Sequence, residues 1–117
     1  MADVLRVVDN DRLHLTRDGV THYNLVHTPT EEAYTEYASD RLVLAVSSGQ
    51  VQASLGGVTA GEHLMLITDR EIKVGVSSTT NVWTVKKFLK LTGSITSLYL
   101  ENESATNLAT VEFIVTD

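Results

Sequence analysis

Short stretches in which apolar and polar side chains alternate recur through this chain, separated by polar or glycine-containing turns at roughly 8–12-residue spacing. A period of two places successive side chains on opposite faces of an extended strand. A sustained helical period is absent from nearly all of the 117 residues. Val, Ile and Thr make up 34 of them. Their β-branched side chains lose rotamer freedom in a helix and pack well on a pleated surface. The expectation is an all-β fold.

The length suits one domain, and 43% apolar residues suffice for a core without disulfide or metal staples. Residues 1–117 are therefore read as one antiparallel β-sandwich. Its residues 1–40 form an N-terminal arm or hairpin and a long connection. No apolar run approaches the roughly 20 residues of a membrane span, so no membrane partner is expected. Met1-Ala-Asp-Val-Leu-Arg, with one late Arg, does not read as a secretory signal. The absence of Cys excludes a disulfide framework, thiol catalysis and a thiolate zinc site. Nine basic against fifteen acidic residues, a formal charge of −6, argue against nucleic acid as partner.

The alternation can be followed along the chain. Val4–Val8 is a short apolar run. Arg12–Val26 reads as a hairpin turned at Asp18-Gly19, a dipeptide suited to the type I′ turn. His27–Asp40, with the only Pro and three of the eight Glu, reads as a long connection with one helical turn after Thr30. Leu42–Val46 and Leu64–Ile67 are nearly continuous apolar runs, as expected of strands covered on both faces. Val51, Ala53 and Leu55 alternate with polar neighbours, as do Ile72, Val74 and Val76. Ile95–Leu100 reads as one strand, and Val111, Phe113 and Val115 alternate through the last. Asn81–Gly93 fits two patterns. Val82, Val85, Phe88 and Leu89 lie on a helical face, whereas Trp83, Val85, Leu89 and Leu91 share one strand face. Strand is the preferred reading, with a bulge near Lys86-Lys87. In all, about eight to ten short strands are expected, in two packed sheets of jelly-roll or Greek-key order.

Chemistry is sparsely signalled. His14, His22, His27 and His63 have no metal-ligand spacing. Ordinary strand-surface histidines explain them, with His14 and His22 facing each other across the hairpin. Asp9-Asn10-Asp11 lacks the Gly and closing Glu of a calcium loop. Glu31, Glu32 and Glu36 are solvated carboxylates rather than an acid–base pair. Asn102-Glu-Ser matches a glycosylation acceptor but reads as a polar loop. No nucleophile elbow or phosphate-cradling loop is recognisable. No catalytic, cofactor or metal residues are therefore assigned. Lys86, Lys87 and Lys90 cluster around Trp83 and Phe88, suited to an acidic surface. Among the larger rings, Tyr23, Tyr34, Tyr37, Trp83 and Tyr99, Trp83 is expected in the core. Tyr34 and Tyr37 suit an interface. The apolar Val4, Leu5, Val7 and Val8 offer a strand to a neighbour.

Residues Gly93-Ser-Ile-Thr-Ser-Leu-Tyr-Leu-Glu-Asn-Glu-Ser, a polar loop and Ala109-Thr-Val-Glu-Phe-Ile-Val-Thr-Asp, preceded by Ile67-Thr-Asp-Arg-Glu-Ile-Lys-Val74, resemble the small jelly-roll virion proteins of tailed bacteriophages. That group includes capsid decoration (cement) proteins and head or tail accessory proteins. The likeness spans roughly residues 41–117 and is one of strand-and-loop style, so it transfers no functional residue. It implies a non-enzymatic structural role without cofactors, in the virion after assembly in the host cytoplasm. Small homo-oligomers would clamp coat or other virion subunits. The competing class is a carbohydrate-binding module, for which a glycan is the partner and Trp83 the natural contact. A cupin-like enzyme would need clustered ligands that His22, His27, Glu36 and His63 do not supply.

Overall fold

A computed structural model describes the backbone of residues 3–6, 11–17, 20–27, 31–34 and 36–117, and the side chains of Tyr34 and of residues 36–117. The described residues form twelve strands, all antiparallel where they pair. Two compact units divide the chain, Met1–Tyr34 and Thr35–Asp117.

The first unit consists of two-stranded sheets. β1 (Asp3–Arg6) pairs with β4 (Glu31–Tyr34), and β2 (Asp11–Arg17) pairs with β3 (Val20–His27). The second pair is the hairpin expected around Asp18-Gly19. Its register slips between Leu15 and Thr16, so that Tyr23 opposes Leu15, Thr21 opposes Thr16 and His22 is the extra residue. His14 therefore lies opposite Asn24 and not opposite His22. The helical turn expected after Thr30 is replaced by β4, because its backbone pairs with β1 from Asp3↔Tyr34 to Arg6↔Glu31. A distant pairing partner overrides local preference there.

The second unit contains eight strands: β5 (Tyr37–Leu44), β6 (Gly49–Ala53), β7 (Gly61–Thr68), β8 (Ile72–Val76), β9 (Val82–Val85), β10 (Phe88–Ile95), β11 (Leu98–Asn102) and β12 (Ala109–Thr116). They make two four-stranded sheets, ordered β10-β7-β12-β5 and β6-β11-β8-β9. The pairings are nested: β5 with β12, β6 with β11, β7 with β10 and β8 with β9. Only the β8–β9 connection stays within a sheet; every other connection in this unit passes from one sheet to the other.

Strand alternation explains the core. Val111, Phe113 and Val115 of β12, Leu64 and Leu66 of β7, Ile72 and Val74 of β8, and Leu98 and Leu100 of β11 are buried in one cluster drawn from both sheets. Two glycines allow close packing in this unit. A Cβ on Gly61 would stand 2.8 Å from Val115 Cγ1 and 2.9 Å from the Ile95 carbonyl oxygen. At Gly75 it would run into the Ser78 carbonyl oxygen, because the β8–β9 loop folds back over that glycine.

Two chain segments read as single strands are broken where the chain changes sheet. Residues 82–91 are strand and not helix, but Lys86-Lys87 is the passage from β9 in one sheet to β10 in the other, not a bulge within one strand. Ile95–Leu100 likewise breaks at Thr96-Ser97, between fully buried Ile95 and Leu98. Ser77 ties that corner down. Its N–H donates to the Ser97 carbonyl at 2.8 Å, and its Oγ accepts from the Thr96 N–H at 2.9 Å and donates to the Ser94 carbonyl at 3.1 Å. The apolar runs Leu42–Val46 and Leu64–Ile67 are covered on one face only. Leu44, Leu64 and Leu66 are buried, whereas Val43, Val46, Met65 and Ile67 are exposed.

Candidate functional site

The exposed half of those runs lies on one surface. Because Leu64 and Leu66 of β7 and Val111, Phe113 and Val115 of β12 point into the core, the residues between them point outward. Strand register then lays out the outer face of the β10-β7-β12-β5 sheet in rows. Phe88, Ile67, Glu112 and Arg41 follow one another across the four strands, and Lys90, Met65, Ile114 and Ser39 form the next row. A third row holds Thr92, His63, Thr116 and Tyr37, but Thr116 is buried and His63 half-buried, so the open part of the face is the first two rows.

The middle of this face is apolar. Phe88 is 64% exposed, and Ile67, Met65 and Ile114 are exposed beside it. Val43, opposite Thr110 at the β5 edge, is 63% exposed. A sheet face turned to water normally alternates to polar side chains, and a contiguous exposed apolar patch marks an interaction surface.

Charge is distributed unevenly across the same sheet. Lys86, Lys87 and Lys90 lie on β10 or on the connection leading into it. The carboxylates Asp40 and Glu112 belong to β5 and β12, with Glu36 and Asp117 just outside their ends. Arg41 Nε stands 3.5 Å from Glu112 Oε1. Glu36 and Asp117 are joined through backbone: the Asp117 N–H donates to the Glu36 carbonyl at 3.2 Å, and the Glu36 N–H donates to Asp117 Oδ1 at 3.1 Å. Asp40 pairs with buried Phe113 and so has the core-facing parity, which leaves the ion-paired Arg41 and Glu112 as the charges of the outer face on its β12–β5 side and Lys90 on its β10 side.

The structure distributes the remaining sequence candidates as follows. Tyr37 is exposed at the β5 edge, in the third row of this face, and Tyr34 is half-buried at the end of β4. Val4 and Leu5 lie in β1, with side chains outside the described residues; Val7 and Val8 lie outside them altogether. Asp9 and Asn10 are also outside, as are the side chains of Glu31 and Glu32, while Glu36 is exposed. His63 is half-buried on β7. Among the described residues no group of three His, Asp or Glu is placed to hold a metal. Trp83, expected in the core, is 47% exposed: it sits opposite Val74 on β9, a four-residue strand beyond which, among the described residues, no further strand pairs.

Asn102 is fully buried at the end of β11 and has no room for a glycan. Its Nδ2 donates to the carbonyls of Asn107 at 2.8 Å, Ala45 at 3.1 Å and Leu44 at 3.4 Å, and its Oδ1 accepts from the Ser104 N–H at 3.1 Å. It is a structural pin between the β5–β6 and β11–β12 connections. A cleft of about 410 Å³ nearby is lined by Arg70, Glu71, Lys73 and Glu103 among others, alternating in charge.

Sequence reading alone missed the apolar face because it took Leu42–Val46 and Leu64–Ile67 as doubly covered. The signal that pointed to it was Phe88 itself, an aromatic at the parity of Lys90 and Thr92 on β10, where a face turned to water would carry a polar side chain. Comparison of the chain with protein-family models, with curated proteins and with solved structures finds no match.

Proposed function

We propose that residues 36–117 form a jelly roll and that the protein is a non-enzymatic structural subunit working by adhesion to other protein chains. The setting that fits best is the virion of a tailed bacteriophage, where it would act as a capsid decoration or cement protein binding coat subunits as an oligomer. One observation carries the reading: the outer face of the β10-β7-β12-β5 sheet is apolar at its centre, with Phe88 the most exposed large apolar residue among those described.

The nested pairing supports the fold assignment. A long antiparallel ribbon in which β5 pairs with β12, β6 with β11, β7 with β10 and β8 with β9 rolls into two sheets once β12 meets β7 and β11 meets β8. That roll is the double Greek key shared by many capsid and lectin domains. The fold itself does not fix function, so the adhesive face carries the weight. The N-terminal segment with Val4, Leu5, Val7 and Val8, and the residues Tyr34 and Tyr37, are assigned as a second contact region by strand addition.

The test is cosedimentation of the purified chain with the particles built by the coat, portal or tail proteins encoded beside it. Phe88→Glu is expected to abolish binding, and deletion of residues 1–10 to weaken it. Unchanged cosedimentation of Phe88→Glu removes the face from the reading. A second reading is favoured by the exposed Trp83: a carbohydrate-binding module would use that ring to stack on a sugar. Glycan-array binding lost in Trp83→Ala, with no particle binding, would select it.

A further inference from the structure

We infer that β6 pairs edge to edge with the β6 of a second copy, antiparallel about a two-fold axis at Val51, so that two β6-β11-β8-β9 sheets become one continuous sheet. This rests on the oligomeric part of the reading above and adds the strand, its register and its symmetry.

A strand that ends a sheet presents unpaired N–H and C=O groups, and charge, shortness or proline normally blunts it. Among the described residues of this unit, β5, β6, β9 and β10 end their sheets. β5 carries Asp40 and Arg41, and β10 carries Lys90 directly behind Lys86-Lys87. β9 has four residues and runs straight into the same lysines. β6, Gly49-Gln-Val-Gln-Ala53, holds neither charge nor proline, and its residues from Gly49 to Gln52 are exposed. It is the unblunted edge.

Its side chains specify what fits against it. The strand reads nearly the same in both directions, so an antiparallel copy centred on Val51 meets its own pattern. Gln50 then stands opposite Gln52 of the second copy, twice over, and Val51 opposite Val51, with the small Gly49 and Ala53 at the ends. Val51 shares the inward parity of buried Ala53, since the two pair with fully buried Leu100 and Leu98 of β11. It is nonetheless 37% exposed at the sheet's end. Under the two-fold, the inner row Val74-Leu100-Val51 continues into its own copy, and that apolar flank is covered. On the outer face, the row Lys73-Glu101-Gln50 continues into Gln52 and Tyr99 of the second copy. Facing amides both donate and accept, and no like charges come opposite one another. An axis at Gln50 instead sets Val51 against Gly49 and runs the two Glu101 rows into each other. The Val51 register is the self-complementary one, and an isologous contact of this kind closes.

The contact is short. Five residues span about 17 Å of strand, and such an edge falls below the roughly 1,200 Å² of a standard interface. The dimer is expected to dissociate at roughly 100 µM.

Sedimentation velocity of the full chain from about 5 µM to 1 mM is expected to show monomer passing to dimer and no larger species. Charge reads the register, because like charges directly opposite on paired strands repel. Gln50→Lys with Gln52→Lys, and Gln50→Glu with Gln52→Glu, are each expected to weaken the dimer at least tenfold, and to form a one-to-one heterodimer when mixed. Gln50→Lys with Gln52→Glu sets opposite charges across the same axis and is expected to dimerise at least as tightly as the wild type. The chain has no Cys, so Val51→Cys can form only an intermolecular disulfide, and directly opposed strand residues lie within disulfide reach. A covalent dimer is expected in a glutathione redox buffer, whereas Val43→Cys on β5 is expected to stay monomeric. Urea midpoints control for folding. A wild type monomeric throughout overturns the inference; so does a dimer that survives the two-lysine variant, or one lost on Phe88→Glu alone. A monomer that still cosediments with particles refutes the β6 contact while leaving the adhesive reading intact, and a β6 dimer that binds no particle does the reverse.

Discussion

Replacing Asn102 by Asp exchanges one NH2 group for an oxygen of nearly the same size, and the structure dictates a large, pH-dependent cost. The amide Nδ2 has two protons, spent on the Asn107 and Ala45 carbonyls at 2.8 and 3.1 Å, with the Leu44 carbonyl at 3.4 Å. An ionised carboxylate donates nothing. Each buried acceptor left unsatisfied costs about 1–3 kcal/mol, and a negative charge is forced among carbonyl oxygens at a site with no solvent exposure. The sum at pH 7 is about 4 kcal/mol or more, a large part of the 5–15 kcal/mol stability of a typical domain. Burial raises the introduced carboxyl's folded pKa above its unfolded value of about 3.9. The folded variant then binds more protons than the unfolded chain between those two values. Its stability is highest below about pH 4, falls by about 1.4 kcal/mol per pH unit through that window, and levels off above the folded pKa. Asn102→Ala loses the same donors without adding charge, so its deficit of about 3 kcal/mol holds at every pH. Urea unfolding of both variants and the wild type at pH 4 and pH 7 measures this. With a slope of about 1.5 kcal/mol per molar, the Asp variant's midpoint drops by roughly 2.5 M at pH 7 and by clearly less at pH 4. A deficit below about 1 kcal/mol at pH 7, or one equal at both pH values, refutes the role assigned to this amide.

Three further outcomes follow from packing. Gly61→Ala is expected to destabilise by about 1–3 kcal/mol through overpacking against Val115 and the Ile95 carbonyl, whereas Gly93→Ala, whose Cβ meets nothing within 4 Å, is expected to be neutral or slightly stabilising; thermal melts compare the pair. Leu66→Ala, at a fully buried position, should cost about 2–5 kcal/mol, while the neighbouring exposed Ile67→Thr should cost under about 0.5 kcal/mol in urea unfolding of dilute protein. Gly75→Ala must push the Ser78 carbonyl away, so faster amide exchange across residues 77–81 is expected, along with loss of the 2.9 Å hydrogen bond from Gln50 Nε2 to the Thr79 carbonyl.

Alternation is a local signal, and it located what is locally determined. Val111, Phe113 and Val115 mark β12 because one face of that strand is fully buried. Asp18-Gly19 itself lies outside the described residues, but the strands expected on either side of it, β2 and β3, do pair. What alternation does not carry is the identity of the neighbour. Nothing in Ile95-Thr-Ser-Leu98 announces that its two buried ends serve different sheets; that follows from long-range pairing of β10 with β7 and of β11 with β6 and β8. The same gap explains β4, whose pairing partner lies some 28 residues earlier in β1. Outer-face exposure was illegible for another reason. A run such as Leu64-Met-Leu-Ile67 has the composition of a doubly buried strand, and only the exposure of Met65 and Ile67 in the folded unit distinguishes the two. Trp83 follows the same logic in reverse: its parity with Val85 suggested the core, but its strand is the edge.

Edges and faces offer different routes to association, and the charges on this unit lie along its edges. Open strands invite pairing with another chain unless lysines, short length or inward charges blunt them. β9 has only four residues, and β10 carries Lys90 and follows directly on Lys86-Lys87. β5 carries Asp40 and Arg41. Edge-to-edge growth is thus discouraged on three of the four open strands, while the apolar residues lie on the broad surface between the β10 and β5 edges. A contact between unlike edges leaves a new edge exposed and propagates, whereas a two-fold contact closes once its partner is seated.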